Sequence, residues 1–206
     1  VRAERLLQKP ELTSLLVAQS AEAIGDHRRA EEAWRALLTH DASRFVGVKG
    51  LLAQRLAAGD AETARKLAEK ALELKPRNVE MQDVLLKLQS EAQDWTGARN
   101  TLAAKLKSGT VPKDLYRRRD AILALQEASG VLDENASAEA REAAIAANKL
   151  SPDLIPAAAM AARQLAAKGD TKGAARVIRR AWEAQPHPDL AAAFADIVPD
   201  ETAAQR

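Results

Sequence analysis

The chain has 206 residues, 47% of them hydrophobic but only 3% aromatic, and 31 basic against 29 acidic side chains leave a net charge of +2. The absence of cysteine excludes disulfides, thiolate zinc sites and a cysteine nucleophile. Near-balanced charge gives no global attraction to nucleic acid or anionic lipid. No apolar run approaches the roughly 18 residues that a membrane helix needs.

In chain order, VRAERLLQKP (1–10) starts without a Met and reads as the end of a preceding helix, so a longer parent protein is expected. A repeat then sets in. Gly25-Asp26, Gly59-Asp60 and Gln93-Asp94 follow one another at 34 residues, and Gly169-Asp170 has the same form. Asn135 holds the corresponding place in between, 42 residues after Gln93, so eight extra residues precede it. Five positions after each turn residue stand Ala30, Ala64, Ala98, Ala140 and Ala174. Nine after stand Trp34, Ala68, Leu102, Ala144 and Ile178, and twelve after Leu37, Ala71, Lys105, Ala147 and Ala181. Seventeen after stand Ala42, Pro76, Thr110, Pro152 and Pro186.

Each unit reads as a helix–turn–helix. Glycine ends the first helix in the left-handed conformation, and aspartate caps the second. The alanine five residues on is small because the two helices cross there. Proline pushes the residue before it out of the α region and ends the second helix. One unit cannot bury its own apolar face, so units stack. The expected fold is all-α, a helical-repeat superhelix (α-solenoid) forming one domain over 1–206. Its repeats run about 11–44, 45–78, 79–112, 113–154 and 155–188, and 189–206 begins a further one. KDLYRRRDAILALQEAS (113–129) reads as a longer first helix that absorbs the insertion.

The 34-residue period, the small residue of the second helix and the closing proline resemble the tetratricopeptide (TPR) family. The family's small residue on the first helix is present as Ala18, Ala128 and Ala162, while Leu52 and Leu86 replace it in two repeats. The third repeat lacks both its glycine and its proline, which predicts irregular geometry there. A finer resemblance is carried by LLVAQSAEAIGDHRRAEEAWRALL (15–38), RFVGVKGLLAQRLAAGD (44–60), LYRRRDAILAL (115–125), NKLSPDLIPAAAMAARQLAAKGD (148–170) and RVIRRAWEAQPHPDLAAAFADIVP (176–199). These are similar to the bacterial HemY-type TPR proteins associated with haem biosynthesis. That resemblance implies a cytoplasmic TPR region on an inner-membrane parent, whose N-terminal anchor is absent from this chain. It implies a role in late haem or porphyrin metabolism through binding other proteins of the pathway. The flavin-dependent oxidase of the same name is not meant, since no glycine-rich dinucleotide fingerprint is present.

No residue pattern points to catalysis, and a non-enzymatic interaction scaffold is expected. His27, His40 and His187 lack the paired spacing of a metal site and read as exposed turn residues. No cofactor is expected; if haem binds, His187 in the rigid PHP turn is the ligand to test. Trp34, Trp95 and Trp182 read as packing residues, and Glu31 and Glu32 as solvated helix faces. Gln19, Glu22, Lys49, Lys87 and Arg163 map to the first-helix faces that line a TPR groove. Together they suggest a mildly basic site for an acidic protein or peptide segment. Tyr116, Arg117, Arg118 and Arg119 add a candidate guanidinium site for an acidic partner. The alternatives are direct haem or porphyrin carriage in the groove, and a TPR adaptor unrelated to haem.

Overall fold

The computed structural model describes residues 9–129 and 138–197, and within them a helix ends wherever the sequence places a Gly-Asp or Gln-Asp pair. Every regular element among the described residues is helical. The helices are α1 (Pro10–Ala23), α2 (His27–Ala36), α3 (Asp41–Ala57), α4 (Ala61–Leu74), α5 (Val79–Glu91) and α6 (Trp95–Lys107). They continue with α7 (Lys113–Ser129), α8 (Ala138–Leu150), α9 (Ile155–Ala167), α10 (Thr171–Ala184) and α11 (Pro188–Ala195). α1–α2, α3–α4, α7–α8 and α9–α10 pack as hairpins; in the repeat register the odd-numbered helices are first helices and the even-numbered ones second helices. Asn135 lies outside the described residues, as does the side chain of Ala140 in α8.

The turns share one backbone motif. Gly25, Gly59 and Gly169 have φ of 75°, 72° and 83°, and Gln93 adopts 56° without being glycine. At each, two hydrogen bonds close the helix: Gly25 N–H donates to Glu22 O (3.0 Å) and Asp26 N–H to Ala21 O (2.8 Å). Gln93 N–H to Ser90 O (3.1 Å) and Asp94 N–H to Gln89 O (2.8 Å) repeat this pair. This is the Schellman closure, which satisfies carbonyls that the helix end leaves open. The aspartates then act as expected. Asp26 Oδ1 accepts from Arg29 N–H at 3.1 Å, Asp60 Oδ1 from Thr63 N–H at 3.1 Å, and Asp170 Oδ1 from Gly173 N–H at 2.8 Å.

Second helices stop in three ways. Lys75 and Gln185, which precede Pro76 and Pro186, leave the helical region at φ −138° and −157°. α6 has no such proline. Gly109 ends it with φ 73°, and Gly109 and Thr110 donate to Leu106 O and Lys105 O, both at 3.0 Å. α3 starts at Asp41, four residues before the boundary expected at 45. Ala42 stands where a proline would hold the chain extended. Instead a short 3-10 turn, Leu37–Thr39, leads into the helix. The Ser43 hydroxyl donates to Leu37 O at 2.8 Å and Arg44 Nε to Leu38 O at 3.1 Å, fixing that junction.

The chain forms two compact units, Val1–Asp94 and Trp95–Arg206. In the first, α2 packs between α1 and α3, and α4 between α3 and α5. In the second, α7 packs on α6 and α8, α9 on α8 and α10, and α11 on α9 and α10. Each core is thus a row of small clusters rather than one centre. Ala18, Ala30, Trp34, Leu37 and Leu51 form the first, and Leu52, Ala64, Ala68, Ala71, Met81 and Leu85 the next. In the second unit, Ala121, Leu125 and Ala147 form one cluster, and Ala162, Ala174, Ile178, Ala181 and Leu190 another. The alanines five residues after the turn, Ala30, Ala64, Ala98 and Ala174, are all 0% exposed. A side chain larger than alanine would separate the helices at those points.

Leu52, which replaces the small first-helix residue in the second repeat, follows a volume exchange across the hairpin. Ala18 shares its cluster with Trp34, Leu52 with Ala68, and Ala162 with Ile178. A large residue on one helix meets a small one on the other, which keeps the core filled at constant helix separation. Trp34 is the largest of these residues. A Cβ added to Gly50 would overlap its ring, and one added to Gly47 would lie 2.8 Å from Trp34 O. Gly50 therefore admits the indole against the α3 backbone, and Gly47 the main chain of α2.

Candidate interaction surface

The first helices carry the residues expected to face a partner, and these are exposed: Gln19 and Glu22 on α1, Lys49 on α3, Lys87 on α5, and Arg163 on α9. The same helices expose apolar side chains. Leu12, Leu16, Val46 and Leu56 are 43%, 51%, 38% and 42% accessible. Leu12 and Val46 stand 34 residues apart, at one repeat position. Between them lies an open cleft of about 510 Å³, lined also by Leu15 and Leu37. Lys49 lies one turn along α3 from Val46, so a cation flanks the apolar surface.

Most of the candidate cations already hold a carboxylate. Lys49 Nζ sits 2.6 Å from Glu80 Oε2 on the next first helix, and Lys87 Nζ 3.7 Å from Glu91 Oε1 on its own. Arg163 Nε is 2.9 Å from Asp196 Oδ2, and Arg118 Nη1 is 2.8 Å from Asp153 Oδ2. The mildly basic groove read from the sequence is thus largely neutralised, by acids one repeat on and, at Lys87, by one on the same helix. These pairs are exposed, so each contributes only about 0–1 kcal/mol and exchanges cheaply for a partner's carboxylate.

The Tyr116–Arg119 run points in different directions, as successive helical positions must. Arg117 and Arg119 are exposed and make no ion pair among the described residues. Arg118 pairs with Asp153, whose carboxyl is held below its ordinary 3.8, chiefly by the hydrogen bond from Ser151. That bond is 2.7 Å from Ser151 Oγ to Asp153 Oδ1. Tyr116 is half-buried; burial, and after it the charge of Asp120, push its hydroxyl above 10.0. Asp120 itself is 5% exposed and receives Arg99 Nε at 2.7 Å.

That last contact belongs to a set the sequence reading missed. Position six after the turn, on the second helices, reaches forward to the next first helix or its turn. Glu31 takes Arg55 at 2.6 Å, and Arg65 takes Asp94 at 3.0 Å. Arg99 takes Asp120, and also Glu127 at 3.0 Å. Glu127 accepts Thr96 Oγ1 at 2.7 Å as well. Glu31, read as solvated, is therefore a stacking contact, and it also accepts Arg35 Nη2 at 2.6 Å. The signal was present as charge at a fixed repeat position, but its partners lie 21 to 29 residues away.

The histidines sit where expected. His27 opens α2, His40 precedes α3, and His187 caps α11, its Nδ1 accepting Asp189 N–H at 3.2 Å. Among the described residues no group of three or more His, Asp or Glu side chains is placed to hold a metal ion. No helix of the described residues is long and apolar enough to cross a membrane. Trp34 is 6% exposed and donates its indole N–H to Glu22 at 2.8 Å, so Glu22 braces the core as well as facing solvent. Trp182, by contrast, is 44% exposed.

No family model matches the chain, and no curated protein matches it. Solved structures do. The MamA protein is 16% identical over 87% of this chain and 93% of its own, with a TM-score of 0.48. MamA 41-end from Desulfovibrio magneticus RS-1 is 16% identical over 86% and 96%, with a TM-score of 0.45. YrrB, described as a TPR protein with an unusual peptide-binding site, is 19% identical over 93% and 94%, with a TM-score of 0.47. At these values the fold assignment rests on the helix pairing, turns and 34-residue period described above.

Proposed function

We propose that this chain is a non-enzymatic interaction scaffold that holds a protein or peptide segment against the exposed faces of its first helices. The observation that supports this most directly is the cleft between Leu12 and Val46, an apolar surface left open at a repeated position. A partner with an apolar anchor and nearby carboxylates would fill the cleft and exchange with Glu80 for Lys49. Surface ion pairs cost little to exchange, and charge complementarity selects the partner. The HemY-type sequence blocks support a finer assignment, in which the partners are proteins of late haem or porphyrin synthesis at the inner membrane.

The experiment is crosslinking and capture from membranes of a cell carrying the parent protein, with identification of what is bound. Reversing Lys49, Lys87 and Arg163 to glutamate should cut capture severalfold. Undiminished capture by this variant overturns the first-helix assignment. Captured partners that include no haem-pathway protein overturn the pathway assignment and leave the scaffold reading standing.

A further inference from the structure

Three first helices share a short local pattern, in which an apolar side chain is followed three residues on by a cation that holds a carboxylate from further along the chain. Val46 precedes Lys49, which holds Glu80; Leu115 precedes Arg118, which holds Asp153; Met160 precedes Arg163, which holds Asp196. In α3 and α9 the ridge carries little else. The places four and seven residues after the apolar side chain are Gly50 and Ala53 in α3, and Gln164 and Ala167 in α9. In α7 they are Arg119 and Ile122.

Positions i, i+4 and i+7 share one face of a helix, so Leu115, Arg119 and Ile122 form a single stripe. It spans about 10 Å along α7 at 1.5 Å per residue. Leu115 and Ile122 are 37% and 41% exposed, and Arg119 between them is exposed as well. The other face of the helix is the packed one: Ala121, Ala124 and Leu125 are buried with Ala147 of α8. Arg119 makes no ion pair among the described residues, whereas Arg118 beside it lies 2.8 Å from Asp153 in the turn between α8 and α9. The repeat thus answers one of two adjacent guanidinium groups and leaves the other to solvent.

Charge complementarity sets the occupant. One guanidinium between two aliphatic side chains matches one carboxylate between two apolar ones. Asp114 and Asp153 flank the stripe with negative charge, which opposes a dense polyanion such as a phosphate backbone, and Asp153 is itself held by Arg118 and Ser151. The surface that meets a helical ridge along its length is the matching ridge of another helix. We propose that the stripe of Leu115, Arg119 and Ile122 seats an amphipathic helix of a partner protein, with a glutamate or aspartate on Arg119 and apolar side chains against Leu115 and Ile122. This rests on the reading of the first helices as the partner surface, and it names the contact on that surface that selects an acidic segment.

The test uses the full chain and a fluorescein-labelled synthetic helix of roughly 15 residues. The probe is alanine-rich, with leucines at i and i+7 and glutamates at i+3 and i+4. One control replaces its leucines by alanine and another its glutamates by lysine. Anisotropy should report saturable binding of the glutamate–leucine probe alone. Arg119→Ala and Ile122→Ser should each weaken it about tenfold, as hot-spot anchors do. Both side chains are exposed, and thermal melts confirm that the variants fold. Arg119→Glu should abolish binding of the glutamate probe and admit the lysine version. No binding of the glutamate probe, equal binding of the lysine probe, or binding insensitive to Arg119→Ala and Ile122→Ser overturns the proposal. An equal loss in Arg117→Ala, two residues from Leu115 and so off the stripe, would mean general charge attraction and also overturns it. So does self-association that disappears in Ile122→Ser, or binding to phosphatidylglycerol vesicles in place of the helix. In capture from membranes, Arg119→Glu should lose partners severalfold. Partners kept by Arg119→Glu but lost on reversal of Lys49, Lys87 and Arg163 overturn this proposal and leave the first-helix reading standing; partners kept by both variants overturn both.

Discussion

Replacing Gln93 with glycine should stabilise the protein, and the structure states by how much. Gln93 is the one described residue other than glycine at positive φ, 56°. For an L-residue the left-handed region costs roughly 1–2 kcal/mol because Cβ crowds the following carbonyl. Glycine avoids that cost but gives up roughly 0.5–1 kcal/mol in the greater freedom of the unfolded chain. The net gain from Gln93→Gly is therefore about 0.5–1 kcal/mol. The converse change isolates the cause. At Gly59 an added Cβ meets nothing within 4 Å, so Gly59→Gln introduces no clash, only the backbone penalty. It should cost about the same amount that Gln93→Gly gains. The exchange of both residues should come out near neutral, since distant sites add.

Urea unfolding followed by circular dichroism measures this. The midpoint should rise for Gln93→Gly and fall for Gly59→Gln with an unchanged slope. In thermal melts each kcal/mol should appear as about 2–4 °C. A midpoint that falls for Gln93→Gly would mean that the glutamine side chain, and not the backbone, fixes this turn. A tolerated Gly59→Gln would refute the steric account outright.

Four further outcomes are expected. Gly50→Ala should cost about 1–3 kcal/mol by pressing a methyl into the Trp34 ring; in a Trp34→Leu background the cost should largely vanish, and an additive double-mutant cycle would contradict the contact. Asp120→Asn should cost about 1–3 kcal/mol in urea midpoints by leaving Arg99 without its nearly buried carboxylate, whereas Glu127→Gln, at the exposed end of the pair, should cost less. Asp153 has its folded-state pKa below the ordinary 3.8, so its contribution is present above that pH and lost as pH falls through the lower folded value; Ser151→Ala should therefore destabilise at pH 6, and its deficit should shrink below pH 3.8. Haemin added to the purified chain should give no Soret shift, because with His187 Nδ1 accepting the α11 cap bond the imidazole proton sits on Nε2, the atom iron would need; a shift that disappears in His187→Ala would establish haem ligation instead.

How far the sequence reveals this molecule depends on the range of the interaction that decides each feature. Turns and stops were legible because one or two residues decide them. Gly25, Gly59 and Gly169 supply the left-handed backbone, the aspartates after them the cap, and Pro76 and Pro186 the stop. The turn at Gln93 was legible only through the period, since its own residue type argues against that conformation. The early start of α3 was hidden because it follows from the lack of a proline at Ala42 and from side chains bonding back over Leu37 and Leu38. Leu52 reads as a departure when the first-helix position is considered alone, yet beside Ala68 it balances volume as Ala18 does with Trp34. The candidate surface divides along the same line. Which side chains face solvent follows from helical periodicity, and Gln19, Glu22, Lys49, Lys87 and Arg163 are all exposed. Which of those charges remain available depends on pairing across repeats. Lys49 with Glu80, Arg118 with Asp153 and Arg163 with Asp196 join residues 31 to 35 apart, beyond any local pattern. Charge on a stacked repeat therefore marks function only where the adjoining helix does not consume it.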